Sequence, residues 1–283
     1  MEKRKILYIL IAIICVISII CGVYYQIFLS KPSKQNSPSN EIVDPGIIDN
    51  GVIDPEILKD EFNSLFNNSF DSQGYNIASI QKRTGFEEED IIYSFYSLQE
   101  DKDGKYNVDI NLPVFNVQSD VASEFNSITQ SIFINKANDV LVRSEEYTVY
   151  NVEFVGYLNN NILSLVIKST LKEGNNPQRV IVQTYNYDII TGNKVTLNEV
   201  LENEGLKLKD VNEKIEKQVE EAKKQAEAVS NASGKTIYKR DINNAMYVTD
   251  NVNYFFIGLD GQIYIVYPYG NSNFTSEIDI IKI

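Results

Sequence analysis

The sequence predicts an α+β fold, with a mostly antiparallel sheet covered by helices and one N-terminal transmembrane helix as a tether. Three observations predict it. Short segments with the apolar pattern of strands come in pairs, separated by turns rich in Gly and Asn. Longer segments between them repeat apolar residues every three or four positions, as helices do. The two kinds of segment do not alternate regularly, as they would around a parallel sheet.

An uncharged apolar segment near the start of the chain is long enough to span a membrane. Residues 6–29 carry no charge, and about 24 residues at roughly 1.5 Å per residue cross a hydrocarbon core about 30 Å thick. Lys3, Arg4 and Lys5 precede the segment, and basic residues stay on the cytoplasmic side. The sequence therefore predicts a cytoplasmic tail at residues 1–5, a transmembrane helix, and an extracellular C-terminal domain at the cell membrane.

Two other interpretations of this segment are weaker. A cleavable signal peptide has a shorter apolar core and small residues at its cleavage site, whereas Tyr24, Tyr25 and Phe28 suit the outer membrane interface. Lipidation at Cys21 is a minor alternative, because the bulky Ile20 precedes the cysteine. We expect an uncleaved anchor.

Composition after the span excludes several kinds of site. The 38 acidic and 23 basic residues that follow Lys5 give a formal net charge of −15. Such a surface repels nucleic acid and favours a basic protein partner or cations, although solubility alone is the simpler explanation. The chain has no histidine, and Cys15 and Cys21 both lie in the span, so His-dependent triads, thiol nucleophiles and Cys/His metal sites are excluded. We expect no cofactor and no metal.

A flexible linker over residues 30–55 is predicted to separate the span from the folded domain, since it is rich first in Ser, Asn and Pro and then in Asp-Pro turns. The first half of the domain, residues 56–145, begins with a helix over residues 56–70, where Pro55 suits the first turn. Strands over 91–98 and 106–112 follow.

The segment between these two strands, EDKDGK, contains Gly104 and predicts a hairpin turn. The spacing of this glycine does not fit a calcium-binding loop of EF-hand type. A helix over residues 119–141, capped by Ser119 or Asp120, is expected next and should cover the sheet. Its apolar face consists of Val121, Phe125, Ile128, Ile132, Phe133, Ala137 and Val140.

The second half of the domain, residues 146–283, is predicted to hold three strands, a helical segment over 196–230 and a closing hairpin that turns at Asp260-Gly261. The three strands cover 147–157, 162–171 and 179–187, and the closing pair covers 252–259 and 262–267.

Three stretches, taken in order, resemble one known family. They are YNVDINLPVFNVQSDVASEFNSI, LSLVIKSTLKEGNNPQRVIVQTYNYDIITGNKVTLNEVL and YFFIGLDGQIYIVYPYG. This set is similar to the extracytoplasmic region shared by the RsiV type of lysozyme-sensing anti-sigma factor and by certain membrane-bound peptidoglycan deacetylases. The resemblance covers roughly residues 90–283 and implies an RsiV-like extracytoplasmic domain.

Candidate partner-binding residues lie in the matched motifs. They are Tyr185, Tyr187, Asp188, Tyr267, Pro268 and Tyr269. Exposed tyrosines would make good contact anchors, but packing in a core is the commoner role. A turn at Asp188 to Gly192, followed by a helix capped by Thr196, also explains the central motif without a site.

The chain departs from this family in two loops, at residues 172–177 and after Gly270, where binding residues are often found. Residues 1–5 cannot hold a sigma factor, and a metal-dependent deacetylase would need histidine and more chain. The resemblance therefore implies an outer domain without either effector.

The leading expectation is a non-catalytic binding or sensing domain of the bacterial cell envelope, with a basic protein such as lysozyme as partner. The alternative is a peptidoglycan-binding accessory module. A carboxylate-dependent cell-wall hydrolase using Glu153 or Asp188 is a more remote one.

Overall fold

The computed structural model describes residues 46–48, 51–66, 69–71, 80–271 and 274–283. The tail at 1–5, the predicted span at 6–29 and most of the linker lie outside these residues. Among the described helices, none is both long enough and apolar enough to cross a membrane.

Two sheets and five α-helices make up the described part of the chain. The strands of the first sheet are β1 (Ser69–Asp71), β2 (Ile92–Lys102), β3 (Tyr106–Phe115), β4 (Thr148–Asn159), β5 (Ile162–Glu173) and β6 (Arg179–Asp188). Those of the second are β7 (Phe255–Ile257), β8 (Ile263–Asn271) and β9 (Phe274–Lys282). The helices are α1 (Pro55–Ser64), α2 (Asp120–Thr129), α3 (Asn135–Arg143), α4 (Leu197–Asn203) and α5 (Leu208–Ser233).

The first sheet has the order β2-β3-β4-β5-β6 and is mostly antiparallel, as predicted. Its two parallel pairs both involve β4. Residues 106–110 of β3 lie beside residues 148–152 of β4, and β1 lies beside residues 155–157. The sheet therefore joins the two halves that the sequence places on either side of residue 145.

The second sheet has the order β7-β8-β9 and is antiparallel. The predicted turn at Asp260-Gly261 is present, with the Gly261 amide donating to the Gly258 carbonyl. The first strand of the predicted hairpin is shorter than expected. The last strand, β9, was not predicted, although Glu277, Ile278, Asp279 and Ile280 alternate polar and apolar residues as a half-buried strand does.

Three hydrophobic cores separate the layers. The first lies between the α2–α3 segment and one face of the first sheet, so that helix covers a sheet as predicted. The second lies between the outer face of the second sheet and helices α4 and α5. The third lies between the two sheets, where Leu58 and Phe62 of α1 contact both of them. The second sheet thus has an apolar layer on both sides, whereas the third core covers only β4, β5 and β6 of the first sheet.

The predicted helix over 119–141 is interrupted. Ser119 caps α2 by accepting a hydrogen bond from the Ala122 amide at 3.1 Å, but residues Gln130–Ile134 form a π-helical turn before α3 begins. A π turn holds an extra residue, which shifts the buried face relative to a regular helix. Ile128, predicted to be buried, is 39% exposed, whereas Thr129 is buried.

The segment over 196–230 forms two helices instead of one. Thr196 and Glu199 form a capping box at the start of α4, as the expected threonine cap required. Gly205 then adopts a positive φ of 68°, which ends this helix because few other residues accept that conformation. Helix α5 begins three residues later, and its buried apolar stripe consists of Val211, Ile215, Val219 and Ala222.

Candidate functional site

The two tyrosines of β6 lie in the first core. Tyr185 is 5% exposed, its ring centre is 4.6 Å from that of Phe125, and its hydroxyl accepts a hydrogen bond from Thr129 at 3.1 Å. Burial raises the pKa of Tyr185. Tyr187 is 3% exposed and lies on the same face of the strand, as predicted. The structure therefore supports core packing for both rings.

The two tyrosines of β8 lie in the second core, away from Tyr185 and Tyr187. Tyr267 is 3% exposed, and burial strongly raises the pKa of its hydroxyl, which has no hydrogen-bond partner among the described residues. Tyr269 stacks on Tyr238 with ring centres 4.2 Å apart and donates a hydrogen bond to Asp279 at 3.0 Å. Core packing again accounts for both rings.

The other two candidate residues keep partial exposure. Asp188 organises the turn after β6, because its Oδ1 accepts hydrogen bonds from the amides of Ile190 at 2.7 Å and Thr191 at 3.1 Å. Pro268 lines a groove together with residues of both sheets. The structure thus divides the six candidates between two cores, one turn and one groove.

The groove around Pro268 has a volume of about 600 Å³, which is within the usual range of ligand sites. Three parts of the fold form it: the π turn and α3 on one side, β4 to β6 at the base, and β8 and β9 on the other side. Most of its lining is apolar, and it consists of Ile132, Lys136, Tyr150, Ser169, Leu171, Arg179, Val180, Ile181, Val182, Tyr254, Pro268, Tyr269, Gly270 and Ser276.

Two cations stand at the rim of this groove and share one carboxylate. Lys136 Nζ is 2.8 Å from Glu173 Oε1, and Arg179 contacts the other oxygen of Glu173. Burial acts to raise the pKa of Glu173, but the two ion pairs outweigh it and hold that pKa below its ordinary value. The rim therefore carries one net positive charge.

Lys136 and Arg179 were not among the predicted site residues, although the loop over residues 172–177 departs from the resembled family. Glu173 lies in that loop. One feature of the sequence could have indicated the ion pair of Glu173 and Arg179. These two residues flank the turn of the hairpin formed by β5 and β6.

The carboxylates considered for hydrolysis are both engaged in structural contacts. Glu153 pairs with Lys168 at 2.8 Å, and Asp188 caps its turn. Among the residues that the structure describes, there is no group of three acidic or cysteine side chains placed to hold a metal ion.

Acidic residues are distributed unevenly over the domain. Residues 80–147 contain 13 acidic and 6 basic side chains, and all 13 carboxylates are exposed. Within the described structure only one of them, Asp139, forms an ion pair. In contrast, residues 148–196 contain 3 acidic and 4 basic side chains. Residues 197–283 contain 14 acidic and 10 basic side chains. The largest net negative charge, −7, is therefore carried by residues 80–147, which include β2 and β3.

No protein-family profile matches the chain, and no curated protein does. The chain is similar to two solved structures of DUF3298 family proteins. That from Bacteroides fragilis NCTC 9343 is 14% identical, with 63% of this chain and 80% of that chain covered and a TM-score of 0.37. That from Pseudomonas aeruginosa PAO1 is 9% identical, with 68% and 88% covered and a TM-score of 0.38. Neither description names an activity or a ligand.

Proposed function

We propose that this protein is a membrane-anchored, non-catalytic binding domain of the bacterial cell envelope that engages a basic protein, such as a lysozyme, from outside. The observation that carries the proposal is the excess of exposed carboxylates over residues 80–147. A surface with one dominant sign of charge attracts a partner of the opposite sign and speeds their encounter. The resemblance to a lysozyme-sensing region agrees with such a partner.

The hairpin of β2 and β3 is the part of this surface best suited to contact. Asp101, Asp103 and Asp109 are exposed along it, and Asp101 accepts a hydrogen bond from Asn107 on the opposite strand at 3.0 Å. Because this hydrogen bond holds the Asp101 side chain in place, little of its conformational freedom is lost on binding. We name these three residues the hairpin carboxylates.

Binding of a basic lysozyme to the full chain, purified in a neutral detergent, tests the proposal. Raising the salt from about 10 mM to about 100 mM shortens the Debye length from roughly 30 Å to roughly 10 Å. We expect the dissociation constant to rise at least about tenfold over this range, because the attraction is between surface charges. Absence of binding, or binding that does not respond to salt, would contradict the proposal.

A matched pair of triple variants tests the location. The hairpin variant is Asp101→Asn, Asp103→Asn and Asp109→Asn. The control, Glu202→Gln, Glu216→Gln and Glu227→Gln, removes the same charge from exposed positions around α4 and α5. We expect the hairpin variant to bind lysozyme more weakly than the control does. If both variants lose the same affinity for lysozyme, the contact lies elsewhere on the domain.

Peptidoglycan binding is the second candidate, and the polar face of the first sheet favours it. Gln99, Asn107, Asn111 and Asn151 lie on this face with at least partial exposure. Amide groups donate and accept hydrogen bonds and suit sugar hydroxyls and acetamido groups. A pull-down with insoluble cell wall distinguishes this candidate, since a domain that binds only a protein stays in the supernatant.

A further inference from the structure

Strand β2 forms one edge of the first sheet, and alternate residues of it direct their backbone groups away from β3. In an antiparallel pair, the residues that bond to the neighbouring strand alternate with residues that face the other way. The Lys102 carbonyl accepts a hydrogen bond from the Lys105 amide in the turn, so Lys102 faces β3. Because the register is continuous over residues 96–102, the outward set in this part of β2 consists of Ser97, Gln99 and Asp101.

This outer edge is open in the described structure. Ser97, Gln99 and Asp101 are all exposed. No described residue hydrogen-bonds to the outward N–H and C=O groups of these three residues. The edge therefore has room for one more strand at the usual spacing of about 4.8 Å.

The charge around the edge determines which strand it accepts. Glu100 and the hairpin carboxylates are exposed around it, and charged side chains on an edge prevent pairing with unsuitable strands. Residues 80–147 carry a net charge of −7. A second copy of this chain is therefore repelled, whereas a basic segment is attracted.

The two faces of the sheet determine the side-chain pattern of an added strand, because successive side chains of a strand point to opposite faces. On the helix-covered face, the added strand meets Tyr96 and Leu98, which are partly buried against the first core. On the other face it meets Gln99 and Asp101, and Asp109 lies opposite Gln99 on β3. Apolar neighbours and neighbours of opposite charge pair favourably across strands.

We propose that the outer edge of β2 binds an extended segment of a basic partner protein as an added strand, in which Lys or Arg alternates with apolar residues. In this mode of recognition, backbone hydrogen bonds give affinity and alternate side chains give selectivity. The inference rests on the proposed function, and it names the contact through which the basic partner is held.

Hydrogen exchange of the full chain in neutral detergent tests the added strand directly. The probe is the capped heptapeptide Lys-Val-Lys-Val-Lys-Val-Lys. Its control, Lys-Lys-Val-Val-Val-Lys-Lys, has the same charge and composition without the alternation. We expect the probe to slow exchange of the Ser97, Gln99 and Asp101 amides, and to bind about tenfold more tightly than the control. No added protection at saturating probe, or equal affinity for both peptides, would overturn the proposal.

Two variants separate the backbone contact from the side-chain contact. Gln99→Pro removes the outward N–H without removing a hydrogen bond to β3, and proline is accepted at such edge positions. Gln99→Ala removes the same side chain and keeps the N–H. We expect the proline variant to bind the probe about tenfold more weakly than the alanine variant, with a cooperative urea unfolding transition for both. Equal binding by the two folded variants would overturn the added strand, and the peptide comparison on the unmodified chain decides the matter if the proline variant does not fold.

The result with lysozyme separates this inference from the proposed function. Salt-dependent binding of lysozyme, with no protection of the three amides by the probe, would overturn the added strand and leave the proposed function supported. Protection by the probe without lysozyme binding would support the added strand and contradict lysozyme as the partner. Protection of the three amides before any peptide is added would assign the edge to a segment of this chain and overturn the inference.

Discussion

Arg240 and Asp279 form a two-pronged ion pair in the interior, with Nε 2.6 Å from Oδ2 and Nη2 2.8 Å from Oδ1. Both side chains are 1% exposed. Glu277 forms a second ion pair with Arg240 at 2.8 Å, and the Tyr269 hydroxyl donates to the Asp279 carboxylate. The pair joins the segment after α5 to the last strand, so a charged group replaces apolar packing in β9.

Breaking this pair should strongly destabilise the domain. Arg240→Met leaves Asp279 buried without its cation, and an uncompensated buried charge costs about 3–5 kcal/mol. The control is Arg143→Met, which removes an exposed pair with Asp139 and should cost less than about 1 kcal/mol. Urea unfolding followed by circular dichroism measures both. A loss for Arg240→Met as small as that of the control would show that the buried pair adds little to stability.

Asn186 should be a second sensitive position, because it connects the two sheets. Its Oδ1 accepts from Ser164 Oγ at 2.7 Å, and its Nδ2 donates to the Phe255 carbonyl of β7 at 2.8 Å. Asn186→Ala leaves the Phe255 carbonyl without its donor and the Ser164 hydroxyl without its acceptor, at a cost of about 2–4 kcal/mol for the two together. The exposed cross-strand contact of Asn107 is the control. If Asn107→Ala proves equally costly in urea unfolding, the sheet connection is not what Asn186 supplies.

The ion pairs of Glu173 with Lys136 and Arg179 should weaken in acid. The pKa of Glu173 is lower in the folded domain than in the unfolded chain, so its contribution to stability is present above the unfolded pKa. That contribution is lost as the pH falls through the lowered folded pKa. We expect Glu173→Gln to reduce the dependence of the unfolding midpoint on pH below about pH 5. A variant with an unchanged acid profile would contradict this linkage.

Gly192 should not tolerate a side chain. Its φ is 76°, in the turn that Asp188 organises, and its amide donates to the Asp188 carbonyl at 2.8 Å. Gly192→Ala is expected to cost about 1–2 kcal/mol, since the left-handed conformation crowds a Cβ atom. Thr191→Ala, at the exposed neighbouring position, should change stability by less than about 0.5 kcal/mol. Thermal unfolding of both variants is the measurement, and equal midpoints would remove the strain argument.

Local signals explain why the hairpins of the first sheet were predictable. Gly104 and Asn160 both have positive φ at the turns, and the strands on either side of each turn pair antiparallel. The period of two in β6 also placed Tyr185 and Tyr187 on one face. It did not indicate that this face is buried, because α2 and α3, which cover it, come from another part of the chain.

Non-local contacts account for what the sequence did not reveal. β9 carries Asp279 in its interior, and the partner that permits this, Arg240, is 39 residues away in the chain. The groove brings together Lys136 of α3, Arg179 of β6 and Pro268 of β8. These three residues are far apart in the sequence. Hydrophobic periodicity and turn signals describe only neighbouring residues, so they could not assign the three to one site.

The packing of α1 on the second sheet has a consequence for how the domain folds. Phe62 contacts Phe256 with ring centres 6.2 Å apart, and Lys282 at the end of the chain lies 3.9 Å from Glu61. Contacts between residues so far apart in sequence form slowly, because a long loop must close first. Helix α1 is therefore expected to dock last, and the third core should be the final part of the protein to exclude water during refolding.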